Sequence, residues 1–184
     1  MSNDSDDSIR KKYEEYGVKE YYEKHAPNYT NPHSTQVKDL LIRNHTLIDC
    51  SRVLDLCCGN GEVSQVLIEL GYNNIMGCDP YTCENYKENI KKKCFPYDFD
   101  DIIQGKLNHT FSSVICSFGL HLCEKSKLYA VIGQLLSITD TIVIITPHKR
   151  PELENICNLK KVYADFVLTP RGKKVRLKIY RQGD

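Results

Sequence analysis

The sequence contains no tryptophan, only two methionines and almost no excess of either charge. Its 25 lysines and arginines are opposed by 24 aspartates and glutamates, so the whole chain has no net attraction to nucleic acid or to an anionic membrane. Any such attraction has to be local. No apolar run approaches the length of a membrane span, and the polar, acidic first residues do not resemble a signal peptide. These absences predict a soluble, cytoplasmic protein without a membrane partner.

The nine cysteines are not arranged as metal ligands. No CxxC pair and no cysteine–histidine cluster has the spacing of a zinc site, so the sequence predicts no metal. Most of the cysteines stand inside apolar runs, where a free thiol packs as a small hydrophobic side chain. We therefore expect reduced thiols in the core instead of disulfides.

The length of the chain limits its domain organisation. With 184 residues, 41% of them hydrophobic, the chain can bury one core and has little room for a second domain. Residues 1–8 are rich in serine, aspartate and asparagine and are predicted to be a disordered tail. Residues 9–184 are predicted to form a single domain, in which residues 9–50 are helical and residues 51–184 form a sheet with its helices.

Short apolar runs alternate with helical patterns through most of the chain. The runs RVLDL, NIMGCD, CF, SSVICSF and TIVIIT are predicted to be the first five strands. Parallel neighbours need connections of a dozen or more residues, so these strands are expected to be parallel, whereas VYADFVL and KKVRLKIY, joined by TPRG, form a hairpin. The predicted fold class is α/β, a three-layer sandwich whose seven-stranded, mostly parallel sheet ends in an antiparallel hairpin.

The segment VLDLCCGNGEVSQVL carries the strongest functional signal. Asp55 lies at the end of a strand, and Gly59 and Gly61 stand in the turn that opens a helix, where glycines let the backbone approach a bound nucleoside. Ser64 replaces the third glycine of a dinucleotide site, which disfavours nicotinamide binding. An acidic strand end suits a cationic sulfonium ligand that has no phosphate. Asp79 closes the second strand 18 residues after Gly61, close to the spacing expected for an acid that binds ribose.

These residues resemble the class I S-adenosylmethionine-dependent methyltransferases, and the resemblance covers roughly Tyr21 to Tyr180. The first motif of that family is similar to Val53 to Gly61, where Cys57-Cys58-Gly59 departs mildly from the usual Gly-Cys-Gly and keeps both turn glycines. In the family, the glycine loop holds the methionine part of the cofactor and the second-strand acid holds its ribose. An acid and backbone amides after the third strand read adenine, and Tyr97 to Ile102 is similar, with the choice of acid left open.

The resemblance implies S-adenosyl-L-methionine as cofactor and S-adenosyl-L-homocysteine as product. The segment 9–50 is similar to the part of related proteins that folds over the cofactor as a lid. The cofactor-binding residues implied in this way are Asp55, Cys57, Gly59, Gly61, Asp79, Pro80, Asp98, Phe99, Asp100 and Ser117, together with Tyr22 and Tyr29 of the lid. Packing in the core is the alternative role for the tyrosines of the lid.

Methyl transfer is an in-line displacement, so alignment supplies most of the catalysis and a base is needed only when the acceptor carries a proton. His121, after the fourth strand, is the candidate catalytic base, with a packed core histidine as the alternative. Ser117 to Leu122 stands where some amino-group methylases have Asn/Asp-Pro-Pro-Tyr, so those enzymes are disfavoured. His148, beside Lys149 and Arg150, is expected at the same edge of the sheet, facing substrate or solvent.

A small-molecule acceptor is favoured, because little sequence remains for a macromolecule-docking domain. One alternative is an RNA or protein acceptor bound by the basic segment 171–181, where alternation places the cations on one face of a strand. The other is a non-catalytic, cofactor-binding partner subunit. The cations of that segment are Arg171, Lys173, Lys174, Arg176, Lys178 and Arg181. Sheet left uncovered near the hairpin has room for a partner or a second copy of the chain, so an oligomer is compatible with the sequence.

Overall fold

A computed structural model of the chain describes Gly17, Glu20, residues 30–154 and residues 156–183. The predicted tail lies outside the described residues, as does most of the predicted lid before residue 30, including Tyr22 and Tyr29. Within the described part of the chain, no helix has both the length and the apolar character needed to cross a membrane.

The described elements form a single seven-stranded sheet with helices on both faces. In chain order they are α1 (Ser34–Asn44), β1 (Val53–Leu56), α2 (Glu62–Glu69), β2 (Ile75–Cys78), α3 (Cys83–Ile90), β3 (Cys94–Phe95), α4 (Phe99–Ile103), β4 (Ser113–Ser117), α5 (Lys125–Leu136), β5 (Thr141–Thr146), β6 (Leu159–Leu168) and β7 (Lys174–Gln182). Single 3-10 turns cover His45–Leu47 and Leu120–Leu122.

The strand order is β3-β2-β1-β4-β5-β7-β6. Strands β1 to β5 pair in parallel, and β7 lies antiparallel between β5 and β6. This arrangement confirms the predicted sandwich, with its mostly parallel sheet and its closing antiparallel hairpin. The long connections between the first five runs and the short TPRG turn were sufficient to predict it.

The central strands are apolar because both of their faces are covered. Every residue of β1 and β5 is buried, as expected for parallel strands between two helix layers. One face of the sheet packs against α4 and α5, through Ile102, Ile132 and Leu135. The other face packs against α1 and α2, through Leu40 and Leu67. Alternate side chains of the central strands β4 and β5 therefore belong to two separate core clusters.

Helix α1 belongs to one of these layers. Val37, Leu40 and Leu41 repeat at helical spacing and are all buried against the sheet. Arg43 forms an ion pair with Asp165 of β6, with an N–O distance of 3.0 Å. The described part of the predicted lid, residues 30–50, thus contributes a core helix.

All parallel strands end at the same edge of the sheet, which we call the carboxyl edge. Thr146, the last residue of β5, pairs with Arg176 of β7. The β6–β7 hairpin continues beyond that pair to Leu168 and Lys174. The tip of the hairpin therefore projects past the carboxyl edge, beside the ends of the strands that carry the predicted site.

Candidate functional site

A cavity of about 290 Å³ opens at the carboxyl ends of β1, β2 and β4. Clefts at this edge are the usual ligand sites of open α/β sheets. The predicted residues that line the cavity are Asp55, Cys57, Gly59, Asp79, Pro80, Asp98, Phe99 and Ser117. Three other predicted residues do not line it, namely Gly61, Asp100 and His121.

Asp55 is held at the cavity by a buried polar network. Asp55 is only 1% exposed. Its Oδ2 atom accepts hydrogen bonds from Ser64 Oγ at 2.7 Å and from Ser64 N at 3.2 Å. The hydroxyl of Tyr86 lies 2.7 Å from the same Ser64 Oγ. Burial raises the pKa of Asp55 to about 8, against the lowering effect of the Ser64 hydrogen bonds. Oδ1 accepts no hydrogen bond from the described residues.

The two turn glycines have different structural roles. Gly59 has φ +53° and a Cβ added there would have no heavy atom within 4 Å, so its hydrogen faces open space at the cavity. Gly61 has φ +98°, and an added Cβ would lie 2.3 Å from Ile90 Cγ1. Gly59 therefore leaves space for a ligand, whereas Gly61 allows the turn to pack on α3.

Asp79 joins the end of β2 to the glycine loop. Its Oδ1 atom accepts hydrogen bonds from the backbone of Tyr81 at 2.9 Å and Thr82 at 3.0 Å, and its Oδ2 atom accepts one from Gly59 N at 3.2 Å. The carboxylate is therefore fixed in orientation on the cavity wall. A carboxylate oxygen accepts two hydrogen bonds, so Oδ2 has capacity for a ligand hydroxyl.

The segment after β3 folds into helix α4, a helix of five residues that the sequence pattern did not predict. Asp98 is the N-cap of this helix and forms a capping box with Asp101, in which its Oδ1 accepts from Asp101 N at 2.8 Å. Asp98 and Phe99 line the cavity. Asp100 points away from it and pairs with Lys127 at the surface, with an N–O distance of 2.8 Å.

Backbone strain is concentrated where β1 and β4 end. Cys57 and Phe118 directly follow these neighbouring strands, and both have φ +56°. Such a conformation is costly for a side chain with a Cβ, and it persists when the surrounding packing requires it. A Cβ on Gly119 would lie 2.3 Å from Cys57 Cβ, so the two loops pack against each other too closely for any other residue.

Ser117, the last residue of β4, has a buried hydroxyl on the cavity wall. Its Oγ atom has no hydrogen-bond partner among the residues that the structure describes. An unpaired buried hydroxyl costs free energy, and a bound polar ligand would remove that cost. This atom is thus a second indication that the cavity is built for a ligand.

His121 stands one residue from the cavity, in the 3-10 turn whose Leu122 lines it. Its ring centroid is 5.2 Å from that of His148, with the two rings nearly perpendicular. Its Nδ1 atom is buried without a hydrogen-bond partner in the described residues. Burial and, to a smaller extent, the charge of His148 lower the pKa of His121 to about 4, so the ring is neutral at pH 7.

The lowered pKa of His121 predicts a loss of stability in acid. Between pH 6.5 and about 4 the unfolded chain binds a proton at this residue and the folded chain does not, so the free energy of unfolding decreases as the pH falls. The limiting slope is about 1.4 kcal/mol per pH unit. Urea denaturation at several pH values in this range gives the free energy of unfolding as a function of pH. That free energy should change less with pH in His121→Leu than in the native chain, and an equal pH dependence of the two proteins would contradict the lowered pKa of His121.

The cavity is also lined by residues that were not predicted from the sequence, among them Glu62 and Asn31. Glu62, the first residue of α2, lines the cavity and accepts a hydrogen bond from Asn31 N at 3.1 Å. Burial raises the pKa of Glu62. An acid directly after Gly61 was a readable signal, because it must lie at the ligand turn. Asn31 gave no such signal, since only the fold brings it to the cavity.

The basic segment 171–181 is not a uniform row of exposed cations, which corrects the expectation from alternation. Lys178 is only 7% exposed, and its ammonium donates a hydrogen bond to the carbonyl of Lys149 at 2.6 Å.

All nine cysteines are free thiols, six of them buried. Within the described residues, no group of three or more His, Cys, Asp or Glu side chains is placed to hold a metal.

The fold has clear relatives among solved structures. Magnesium protoporphyrin IX methyltransferase from Synechocystis PCC 6803, with bound SAM, superposes with a TM-score of 0.67 and 15% identity, over 100% of both chains. The N-methyltransferase NodS from Bradyrhizobium japonicum WM9, in complex with S-adenosyl-L-homocysteine, gives 0.69 and 13% identity, over 89% of this chain and 97% of NodS. The chain therefore has the fold of the class I S-adenosylmethionine-dependent methyltransferases. No family model matches the sequence.

A closer relative in sequence is the uncharacterized protein C17A5.05c of Schizosaccharomyces pombe. It is 31% identical over an alignment of 196 positions, gaps included, which covers 80% of this chain and 77% of the yeast protein. The chain belongs to the same family as this yeast protein.

Proposed function

We propose that the protein is an S-adenosylmethionine-dependent methyltransferase that binds its cofactor in the cavity at the carboxyl edge. One observation carries this proposal. Asp55, Asp79 and Ser117 stand at the ends of three neighbouring strands and line one cavity, with hydrogen-bonding capacity that no described residue uses. The bound SAM and S-adenosyl-L-homocysteine of the two structural relatives support the same ligand. When bound, S-adenosylmethionine would supply an electrophilic methyl group on a sulfonium.

The acidic end of the cavity suits the cationic methionine part of this ligand. Asp55 is buried and Glu62 half-buried there, and burial raises the pKa of each. A cation beside them favours the ionised carboxylates, so binding would offset part of the cost of burying them. Cys57 and Gly59 contribute the backbone wall of this region, and Gly61 holds the turn in place behind it.

The remaining residues suit the nucleoside part. Asp79 would accept a hydrogen bond from a ribose hydroxyl through Oδ2, with Pro80 beside it on the wall. Asp98 and Phe99, which line the cavity, would contact adenine through the backbone at the start of α4 and through the aromatic side chain. Asp100 was predicted for the same role, but its pairing with Lys127 places it at the surface. Asp98 is therefore the acid that we assign to adenine.

The acceptor would lie where β4 ends. Phe118, stacked on His33 with ring centroids 5.3 Å apart, and Leu122 border that side of the cavity. His121 is the proposed base: it is neutral at pH 7 and free to take a proton, although a pKa near 4 makes it a weak one. The small-molecule acceptor expected from the chain length stays a prediction.

Calorimetric titration of the full chain with S-adenosylmethionine and with S-adenosyl-L-homocysteine tests the proposal. We expect both ligands to bind with micromolar dissociation constants, because the cavity and its acidic groups are already formed. No binding of either ligand would contradict the proposal. Formation of S-adenosyl-L-homocysteine during incubation with an acceptor mixture separates an enzyme from the alternative, a non-catalytic partner subunit, which binds but does not turn over.

A further inference from the structure

The last fifth of the chain holds a local excess of positive charge. Residues 147–182 contain ten lysines and arginines against three aspartates and glutamates, while the whole chain has 25 against 24. The electrostatic field of this part is therefore strongly positive on an otherwise balanced molecule. Lys160, Lys161 and Arg181 lie at the end of the hairpin beside the start of β5. The cations after β5 and near the hairpin tip lie at the carboxyl edge, where the cavity opens, because β5 ends at Thr146 and the hairpin projects past it.

A chain of contacts joins the cavity to the hairpin. Leu122 lines the cavity, and the adjacent His121 packs on His148. The carbonyl of Pro147, the residue before His148, accepts a hydrogen bond from Arg176 of β7 at 3.4 Å. Direct contacts thus connect the rim of the cavity to the surface of β7 through the loop after β5.

Cations and an aromatic ring alternate along that surface. Lys174 and Arg176 lie two residues apart on one face of β7, and Phe166 pairs with Arg176 from β6. The ammonium of Lys174 is 4.0 Å from the centroid of the Phe166 ring, which is 46% exposed. Leu168, opposite Lys174, is 55% exposed. The connection between β5 and β6 forms no helix in its described stretches, 147–154 and 156–158, so it places no helix over this face.

The cations of this surface are not neutralised by acidic side chains. Lys149, Arg150, Arg171 and Lys174 are exposed and have no carboxylate within salt-bridge distance in the described part of the chain. A solvated surface normally mixes both signs, as in the pair of Lys38 with Glu69. The partner that complements this surface is therefore polyanionic.

We propose that this surface binds single-stranded RNA and, on the proposed methyltransferase function, that this RNA carries the methyl acceptor into the neighbouring cavity. We call it the basic edge surface, comprising Lys149, Arg150, Phe166, Arg171, Lys174 and Arg176. Cations hold the phosphates, and an exposed aromatic ring stacks an unpaired base, a combination typical of single-strand binding. The exposed Phe166 favours RNA loops and ends over a duplex, whose bases are already stacked, and over an acidic protein, which offers no base.

Fluorescence anisotropy of the full chain with labelled oligouridylate and a mixed-sequence single-stranded RNA tests the binding. We expect affinity to fall steeply with salt, and Arg171→Glu/Lys174→Glu to lower it roughly tenfold while reducing the slope of log affinity against log salt by about two. The matched control is Lys92→Glu/Lys93→Glu, at the opposite, β3 edge of the sheet, which should change neither quantity. Equal losses for both double variants would overturn the proposal.

The stacking part has its own control. Phe166→Ala should weaken RNA binding on the order of tenfold. The control is Tyr129→Ala on helix α5, which also removes an exposed aromatic ring and should have no effect. Polyglutamate and duplex DNA serve as competitors. If either competes as well as RNA, or if Phe166→Ala has no effect, the partner is an acidic protein or a duplex and the proposal is wrong.

Cofactor binding and methyl transfer separate the two proposals. RNA binding without cofactor binding leaves the basic edge surface standing and rejects the methyltransferase function. If both ligands bind, tritium from methyl-labelled S-adenosylmethionine should appear in RNA with the native chain and be strongly reduced with Arg171→Glu/Lys174→Glu. Transfer to no RNA in a total RNA extract, while both ligands bind, would overturn the role of RNA as acceptor.

Discussion

Replacing Asp79 with alanine should lower the affinity for S-adenosylmethionine roughly 10- to 100-fold. The Oδ2 atom of the carboxylate is the proposed acceptor for one ribose hydroxyl, and a hydrogen bond to a charged group contributes about 1.5–3 kcal/mol. The same change also removes the acceptor of the Gly59 amide, which frees the glycine loop. Calorimetric titration of Asp79→Ala beside the native chain measures the loss directly.

Two further variants separate ligand contact from loss of structure. Asp79→Asn keeps one oxygen acceptor and should bind with intermediate affinity. Asp140→Ala removes an exposed carboxylate just before β5, at the opposite edge of the sheet, and should bind as the native chain does. A thermal melt of each variant reports whether it folds. Unchanged affinity of folded Asp79→Ala would show that the ligand lies elsewhere.

The fold was predictable because its determinants are periodic and local. Continuous apolar runs such as Thr141–Thr146 are typical of strands buried on both faces, and the lengths of the connections fix which pairs are parallel. Helix α4 escaped prediction because five residues are too few for a periodic pattern. Its capping box, Asp98 with Asp101, was the one local signal available.

The candidate site was predictable where its residues stand at strand ends. Asp55, Asp79 and Ser117 follow apolar runs, so their convergence on one edge needs only the parallel sheet. Burial and pairing were not predictable from position in the sequence. Asp100 pairs with Lys127, which is 27 residues away. Lys178 is buried, and its ammonium donates a hydrogen bond to the carbonyl of Lys149 in the loop after β5.

Gly61→Ala is expected to destabilise the fold by about 2–5 kcal/mol, combining overpacking with the cost of a left-handed conformation. The new Cβ would lie 2.3 Å from Ile90 Cγ1 and 3.3 Å from Tyr86 Cδ2, inside the packing of α3, at φ +98°. Urea denaturation of the two proteins measures the difference in free energy of unfolding. Gly59→Ala is the matched control and should cost only about 1–2 kcal/mol, since its Cβ meets no heavy atom within 4 Å.

A double-mutant cycle with Ile90→Ala separates the clash from the backbone cost. Ile90 is buried, and truncating it alone leaves a cavity beside Gly61. If the close contact destabilises Gly61→Ala, its methyl group will enter that cavity, and the double variant will lose less stability than the two single variants combined. Strict additivity would instead attribute the whole effect to the backbone at φ +98°. In either case Gly59→Ala should lower cofactor affinity more than its small loss of stability would suggest, because Gly59 and not Gly61 lines the cavity.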